Sequence, residues 1–386
     1  SANFNQAVRI ALADQVTTSS SRLHSVSLPG SNVVKGRPAA GDVDNDGDMD
    51  IVVAYGNGYA NRLLLNDGFG RFSMIQIADD GDTRSVALAD VNKDGRLDLV
   101  TGNYGARNKV YLNTGTGNFF TTATDVTTDT DNTTDVAIGD CNVDGNPDIF
   151  VSNDGQTDKI NPSVLLAPGV YSSSLALGAA TQARGLAAGD IDGDGDIDAI
   201  VALFDAPNQF YSNNGNCTFS STPVSGDVFD SFDVVLQDKV AGAGMKAIIA
   251  NFGKPNRVYE WNGVSGFIGS TLDGDADNTR AVAIADFNTD AVEEVISGNA
   301  FEFNRITGAG FGNLGSAANN TIGLLVADID GDSAPDVVEI NTGAVDKLYL
   351  SGQRFDTRLN TALSTTLATN PSVIQGLRLD VTLDAP

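Results

Sequence analysis

A nine-residue segment rich in aspartate has the residue types and spacing of a site for a hard cation. Segment 42–50 has carboxylates at its positions 1, 3, 5 and 9, and glycine at position 6. Oxygens at positions 1, 3 and 5 of a tight loop converge on one point. A carbonyl at position 7 and a carboxylate at position 9 then complete the six to eight oxygen ligands that calcium takes. Because glycine at position 6 permits the sharp turn, the segment predicts a calcium site.

The same spacing recurs in four further segments, which begin at Asp90, Asp140, Asp190 and Asp328. The last of them has Ser333 at position 6. Acidic surface turns have no reason to keep the 1-3-5-9 spacing, so we expect calcium at all five loops. Apolar β-type runs flank the loops, and none has the position-12 glutamate of an EF-hand. The predicted ligands are Asp42, Asp44, Asp46, Asp50, Asp90, Asn92, Asp94, Asp98, Asp140, Asn142, Asp144, Asp148, Asp190, Asp192, Asp194, Asp198, Asp328, Asp330, Asp332 and Asp336.

Two further segments depart from this pattern. The loop at Asp286 has the candidate ligands Asn288, Asp290 and Glu294, but Ala291 replaces the glycine, which is unfavourable where φ is positive. Calcium binding at this sixth loop is left open.

In the loop at Asp238, Val240 and Gly242 supply no side-chain oxygen, and Lys246 would place an ammonium where the last carboxylate belongs. We expect no metal there.

The composition excludes several classes of protein. The chain has 386 residues, 50 acidic against 23 basic, and a formal net charge of −27, which argues against binding to nucleic acid or anionic membranes. No apolar run approaches the length of about 18 residues that a membrane span needs. The two cysteines, Cys141 and Cys217, form no disulfide scaffold or zinc site. We expect two free thiols, with a disulfide as the less favoured alternative.

The loops recur about every 50 residues, a period typical of propellers and solenoids. Seven units begin near residues 39, 85, 135, 185, 233, 281 and 323. Each unit contains four short β-type runs separated by Gly- and Asn-rich turns, as one antiparallel blade requires. No capped amphipathic helix is found.

These repeats resemble the FG-GAP/VCBS type, the calcium-loop β-propeller repeat also found in integrin α-subunit heads. The resemblance covers about residues 22–360. It implies an all-β fold: a seven-bladed β-propeller of four-stranded antiparallel blades, with calcium-binding loops between strands 1 and 2. Residues 1–386 would form one such domain, and the metal ligands it implies are those given above.

Two segments are candidates for the strand that closes the ring. Residues 22–28 align with the fourth strand of the first full unit, and residues 354–358 could fill the same place. Closing the ring removes open sheet edges. Residues 361–386 would form a C-terminal extension, in which 373–383 alternates like a strand.

A ligand site is expected on the face opposite the calcium loops, where the connections between strands 2 and 3 carry aromatic and Asn residues. Arginines also begin several inner strands: Arg37, Arg84, Arg184 and Arg280. They are candidates for binding an anionic ligand, such as a carboxylated or sulfated glycan. We favour the alternative that they pair with local acids such as Asp82, Asp275 and Asp277.

The function that these features favour is a non-enzymatic, calcium-stabilised binding or adhesion module for a protein or glycan ligand. The alternatives are a secreted polysaccharide lyase, or other carbohydrate-active enzyme, and a purely structural module of a larger surface protein. His24 is the only histidine and is expected on an outer strand, and no catalytic residue is assigned. The weak affinities of extracellular calcium modules, about 10⁻⁴–10⁻³ M, favour a secreted or cell-surface location. Separately, we expect a monomeric domain.

Overall fold

The computed structural model describes residues 24–351, apart from 31, 32, 34, 79–80, 116, 118, 165–166, 240–243, 273–275 and 308–311. The described chain consists of β-strands joined by turns. They are β1 (His24–Ser27), β2 (Lys35–Gly41), β3 (Asp50–Tyr55), β4 (Asn61–Asn66), β5 (Phe72–Ile77), β6 (Thr83–Ala89), β7 (Asp98–Asn103), β8 (Lys109–Tyr111), β9 (Ala123–Asp125), β10 (Thr133–Gly139), β11 (Asp148–Asn161), β12 (Ser163–Val164), β13 (Ala167–Tyr171), β14 (Leu175–Gly189), β15 (Asp198–Leu203), β16 (Gln209–Asn213), β17 (Phe219–Pro223), β18 (Ser231–Asp238), β19 (Met245–Asn251), β20 (Arg257–Trp261), β21 (Phe267–Thr271), β22 (Thr279–Ala285), β23 (Glu294–Thr307), β24 (Asn313–Ala327), β25 (Asp336–Asn341) and β26 (Lys347–Leu350).

The burial of each strand follows its position in the sheet. In β3, β7, β15 and β25 every residue is buried, because both faces of these strands are covered; β3 and β15 are nearly continuous apolar runs after their first Asp. The outer strands β17 and β21 are mostly exposed and rich in Ser and Thr, which suits a solvated edge. The core lies between adjacent sheets. One apolar cluster joins Val52 and Leu63 of the first sheet to Val86 and Leu99 of the next.

Antiparallel four-stranded blades form, but seven separate ones do not. Three sheets have four strands, β2–β5, β6–β9 and β18–β21, and two have six. The expectation of seven separate four-stranded blades is therefore wrong, since the described strands form five sheets of four or more strands and one two-stranded sheet, β12–β13.

Two long strands explain this difference. The first part of β14 pairs with β11 and its last part pairs with β15, so the strand belongs to two successive repeat units. In the same way, β24 pairs first with β23 and then with β25. Extended backbone thus continues between units where a turn was expected to separate them.

The strand that begins each unit lines a central channel. These strands are β2, β6, β10, β14, β18, β22 and β24 in chain order; each contacts the next, and β24 contacts β2. The N-terminal β1 pairs with β26 at the outer edge of the last unit's sheet, with Val26 opposite Leu348. The competing segment 354–358 and the proposed extension 361–386 lie outside the described residues.

The two cysteines form a disulfide, so the expectation of two free thiols is wrong. Their Cα atoms are 5.0 Å apart, within the range that a disulfide requires. The reason is tertiary: the turn after β16 packs on the preceding unit's loop, where the Cys217 amide donates to the Cys141 carbonyl at 3.1 Å. In the part of the chain that the structure describes, no helix is long and apolar enough to cross a membrane.

Candidate functional site: acidic loops and an arginine-lined channel mouth

Six of the acidic loops share one backbone conformation. At position 4 the backbone is left-handed in every one of them, from Val143 at φ 57° to Gly193 at φ 82°. Position 6 is also left-handed, with φ of 81–97° for the four glycines. Ala291 and Ser333 take the same region at φ 65° and 71°, so the sixth loop folds like the others at some cost in backbone strain.

Backbone amides hold the carboxylates of each loop in place. In the first loop Asp42 accepts hydrogen bonds from the amides of Asp46 and Gly47, both at 3.0 Å. The position-5 carboxylate, Asp46, accepts the amide of Asp48 at 3.0 Å. Equivalent bonds form in the loops that begin at Asp90, Asp140, Asp286 and Asp328. The loop at Asp190 differs in that the amide of Gly193, and not that of Asp194, donates to Asp190.

The position-9 carboxylate connects its loop to the third strand of the unit. Asp50 is fully buried and accepts the amide of Val43 at 2.9 Å with one oxygen and that of Asn66 at 2.9 Å with the other. Burial raises the pKa of Asp50 and of Asp148 to about 6, against the hydrogen bonds that lower it. The equivalent burial raises the pKa of Asp198 and Asp336 to about 7. A bound cation would offset this cost of burying charge.

The structure brings predicted ligands together in three loops. Carboxylate oxygens lie within 4.8 Å of one another in the sets Asp42/Asp44/Asp50, Asp190/Asp192/Asp194 and Asp328/Asp330/Asp332. The Oδ1 atom of Asp44 is shielded from solvent and has no hydrogen-bond partner within the described structure. An orphaned, buried carboxylate oxygen beside other carboxylates fits a hard cation, so the residues present are consistent with calcium.

In two other loops, some carboxylates already have an ion-pair or hydrogen-bond partner within the loop. Arg96, at position 7 of the second loop, pairs with Asp94, and Asn92 donates to Asp94 at 3.0 Å. In the sixth loop the Asn288 amide donates to Glu294 at 2.6 Å. A cation at these loops would have to displace or reorient these contacts. The seventh candidate is the loop after Asp238. Its residues 240–243 lie outside the described residues.

Asparagines attach three of the acidic loops to the following unit, which sequence reasoning missed. Asn113 donates to the Val43 carbonyl of the preceding unit's loop at 2.7 Å, and Asn213 donates to that of Cys141 at 2.7 Å. Asn66 closes the ring in the same way by donating to the Ile329 carbonyl at 2.5 Å. The feature of the sequence that could have indicated these bonds is the asparagine at the end of the third β-type run of each of these units, namely Asn66, Asn113 and Asn213.

At the opposite end of the channel, every inner strand is interrupted by a bulge at the same repeat position. The ladder shifts between Thr83 and Ser85, for example, and at the equivalent residues of the other units. A bulge changes the direction in which side chains point. As a result, two consecutive positions of each inner strand, which lie six and five residues before the first Asp of the loop, form two layers of side chains in the channel. The upper layer is Gly36, Arg84, Thr134, Arg184, Phe232, Arg280 and Ile322, and the lower layer is Arg37, Ser85, Asp135, Gly185, Asp233, Ala281 and Gly323.

In the lower layer, one arginine spans the channel. Arg37 pairs with Asp233 and, at 3.4 Å, with Asp135, although these residues belong to three different units. Its guanidinium also donates to the Phe232 carbonyl at 2.7 Å. A Cβ on Gly185 would lie 3.1 Å from Arg37, so the glycine makes room for it. Burial opposes the charge of Arg37, but the two carboxylates outweigh it and raise its pKa.

The upper layer lines a cavity of about 470 Å³ at the channel mouth. Arg84 pairs with Asp82 at 2.6 Å, as expected from the sequence. Arg184 pairs with Asp154 at 2.7 Å, and the Tyr104 hydroxyl donates to the same carboxylate at 3.3 Å. The expected preference for local ion pairs therefore holds for these two arginines.

Arg280 is different. Asp277, one of its expected partners, pairs with Arg305 at 3.0 Å, and Asp275 lies outside the described residues. The guanidinium of Arg280 lies over the rings of Phe232 and Phe252, at 5.4 and 5.5 Å from their centroids. Burial lowers its pKa, and no nearby carboxylate of the described residues offsets that effect.

A polar circuit under the mouth connects neighbouring units and was also missed. Asn108 donates to Thr133 of the next unit at 3.0 Å, and Thr133 donates to Asn153 at 3.1 Å. Where the last unit meets the first, the buried pair Lys35–Asp346, at 2.7 Å, takes the place of the Asn–Thr bond. The circuit holds the upper ends of the inner strands at fixed spacing.

The comparisons with known proteins agree with this architecture. The family described as FG-GAP-like repeat matches residues 42–101 and 90–151. The chain is similar in structure to BBS1N in two crystal structures of BBS1N in complex with ARL6DN. One, soaked with lead, has a TM-score of 0.60 at 12% identity over 85% of this chain and 96% of that chain. The other, soaked with mercury, has 0.59 at 11% over 85% and 95%.

No curated protein matches the chain significantly in sequence. The structural similarity, at such low identity, shows the fold alone. Together the strand arrangement and the matched repeats define the chain as a β-propeller. More particularly, the match of FG-GAP-like repeats to residues 42–151 supports an FG-GAP β-propeller.

Proposed function

We propose that this protein is a calcium-stabilised, extracellular β-propeller that binds a protein or glycan ligand without catalysing a reaction. The observation that carries the proposal is the contrast between the two ends of the channel. Acidic loops with fixed backbone conformation occupy one end, and a cavity of about 470 Å³, lined by arginines and aromatic rings, occupies the other. Cavities of this size suit small ligands or the end of a larger one.

Calcium in this proposal has a structural role. The residues that would hold it are the side chains at positions 1, 3, 5 and 9 of the loops at Asp42, Asp90, Asp140, Asp190 and Asp328. A sixth site at Asp286 is supported by a loop backbone that matches the other five. When bound, the ion supplies the attraction that clustered carboxylates lack, so its binding is coupled to folding.

We further infer that the seven repeat units form one closed ring, although the described strands group into five large sheets. Each six-stranded sheet contains two successive repeat units, joined through β14 or β24. The closed sequence of seven inner strands supports this count. The rigid ring that results is a scaffold on which loops at the mouth can present binding groups.

A lyase is less well supported by the side chains at the mouth. Tyr104 is the tyrosine that lines the cavity, and burial together with the Asp154 charge raises its pKa. A general base needs the opposite shift. His24 lies on β1, the outermost strand of its sheet. These observations favour recognition over catalysis.

A screen of glycans and peptides tests the proposal. The protein is applied to both arrays in calcium and again after chelation, and each bound sugar is examined for new unsaturated ends. Calcium-dependent binding without such products supports a recognition module. New unsaturated ends would show a lyase, and the absence of binding on both arrays would contradict the proposed role.

A further inference from the structure

We infer that the channel mouth is a binding site for a singly charged carboxylate on a hydroxylated ligand, the chemistry of an acidic sugar. This inference rests on the proposed function, because it places the ligand of the binding module at the mouth. It is carried by the charges of the cavity, by the surroundings of Arg280 and by the polar groups between the charged ones.

The cavity is basic although the protein is strongly acidic. Of the six charged residues that line it, only Asp154 is acidic; the basic ones are Lys35, Arg37, Arg84, Arg184 and Arg280. The formal net charge of the whole chain is −27. These cationic side chains place several N–H donors for an anion at the mouth, although nearby carboxylates compensate most of their charge.

Ion pairs compensate most of these charges, and one charge is left over. Arg84 and Arg184 each have a carboxylate at 2.6–2.7 Å, and Lys35 has Asp346 at 2.7 Å. Arg280 has only a long hydrogen bond to the Asn320 side-chain oxygen, 3.5 Å, and its Nε is buried without a partner among the described residues. A partly buried guanidinium without a carboxylate partner among the described residues is costly, and an anion would relieve that cost.

The geometry around Arg280 leaves its donors fixed for a ligand. Phe232 and Phe252 stack against the guanidinium and limit its rotation. These two rings are themselves in contact, with centroids 5.7 Å apart, and Phe204 abuts Phe232 at 6.2 Å. A planar group held in this way offers two parallel N–H donors, which match the two oxygens of a carboxylate.

The balance of charge selects a monoanion. Directly below the mouth, Arg37 meets two carboxylates, Asp135 and Asp233, so this cluster has an excess of one negative charge. A dianion such as a phosphate monoester would be repelled by that excess negative charge. Among the described residues, Arg280 is the one uncompensated cation at the mouth that could hold it. A single carboxylate matches the charge that is available.

The remaining lining favours a hydroxylated body over an aliphatic one. Thr134, Asn320 and Thr342 are polar residues among the lining, and the one aliphatic side chain in it is Ile322. Sugar hydroxyls pair with such groups, and the CH faces of a sugar pack on aromatic rings. Because Arg37 closes the cavity below, the ligand enters as a terminal group and does not pass through the channel.

Calorimetry on the calcium-loaded protein tests the inference. The probes are glucuronate, its uncharged methyl ester, glucose 6-phosphate and an N-acetylated dipeptide with a free carboxylate. We expect binding of glucuronate that is at least tenfold tighter than binding of the ester or the phosphate, since a charged hydrogen-bonding pair is lost or mismatched. Equal binding of acid and ester, or no binding of glucuronate at about 10 mM, would overturn the site. Tighter binding of the dipeptide would overturn the sugar class.

Variants locate the site. Arg280→Gln should weaken glucuronate binding at least tenfold, and Arg280→Lys, which keeps the charge but loses the fork, should weaken it less. Arg71→Gln is the matched control, because Arg71 is an exposed arginine beside an outer strand. Unchanged binding in Arg280→Gln overturns the inference. If that variant does not fold, the comparison of acid and ester on the natural protein decides.

The outcome also separates this inference from the proposed function. A ligand found on the arrays that still binds Arg280→Gln with unchanged affinity would show a binding module whose site lies away from the mouth. Loss of that ligand with Arg280→Gln, and not with Arg71→Gln, would support both. Absence of any array ligand, with glucuronate bound as expected, would leave the mouth site in place and contradict the assignment of a macromolecular partner.

Discussion

Replacement of Arg37 is the sharpest test of how the channel is held together. Arg37 is the one cation among the described residues that contacts both Asp135 and Asp233, which are 4% and 5% exposed. Arg37→Met removes the cation and keeps much of the side-chain volume. Removal of one partner from a buried ionic cluster costs about 3–5 kcal/mol, because the remaining charges are left unpaired. We expect a loss of stability of that size at pH 7.

The loss should depend on pH with a defined sign. Burial raises the pKa of Asp135, an effect that Arg37 opposes. Without Arg37 that pKa rises further, so the folded variant binds protons more readily than the unfolded chain does. Stability lost at pH 7 is therefore recovered as the pH falls through the raised pKa towards 4.

Urea unfolding at several pH values measures both effects, with midpoints and slopes fitted for each protein. Arg71→Met, at an exposed site, is the control and should change stability by less than about 0.5 kcal/mol. A cost below about 1 kcal/mol for Arg37→Met, or a cost that is independent of pH, would refute the view that this cluster is a buried ionic junction.

Three further predictions concern other buried interactions. Burial raises the pKa of the fully buried Asp158 to about 6 from 3.8. The stabilising contribution of Asp158 is therefore complete below pH 4 and is lost as the pH rises through 6, and urea unfolding of Asp158→Asn should lack about 3 kcal/mol of this pH dependence. An unchanged pH profile in that variant would contradict the raised pKa. Replacing both Cys141 and Cys217 by Ser should cost about 2–4 kcal/mol in urea unfolding, with the same shift on reduction of the natural protein; no shift in either experiment would mean that the disulfide does not form. Asn113→Ala should cost about 1–3 kcal/mol, because it breaks the buried bond to the preceding loop, whereas the exposed Asn214→Ala should cost less than about 0.5 kcal/mol; equal costs would argue against the inter-unit role.

Local features of the fold were predictable because they depend on nearby residues. The repeat spacing together with the resemblance to FG-GAP repeats predicted an all-β propeller, and the glycine at position 6 predicted the left-handed turn found at Gly47 and its equivalents. Ala291 adopts the same conformation at φ 65°, which the sequence left open. Metal binding at these loops stays a prediction.

Interactions between units were not predictable in the same way. The extension of β14 across two units and the disulfide depend on how neighbouring sheets pack, which no local pattern encodes. The pairing of Arg37 across the ring had a signal that only repeat alignment shows: opposite charges occur at one repeat position, as Arg37, Asp135 and Asp233. Once the inner strands close into a ring, these side chains meet in the channel.

The choice of partner for each arginine could also not be read from sequence distance. Arg84 pairs with Asp82, two residues away, but Asp277, three residues from Arg280, pairs with Arg305. The bulge in each inner strand aims the arginine at the mouth, and the position of the neighbouring connection then decides which carboxylate it meets. Arg280 meets aromatic rings instead, which is the origin of the proposed ligand site.

The central claim, that calcium stabilises this propeller through the acidic loops, is tested most directly by thermal unfolding against calcium concentration. At 10 mM calcium, a site with a Kd of about 10⁻⁴–10⁻³ M stabilises the fold by about 1.4–2.7 kcal/mol, and five such sites by about 7–14 kcal/mol. We therefore predict a large rise in the unfolding midpoint of the chelated protein on adding calcium, and a smaller rise for Asp198→Asn. A midpoint that does not change with calcium would contradict the account.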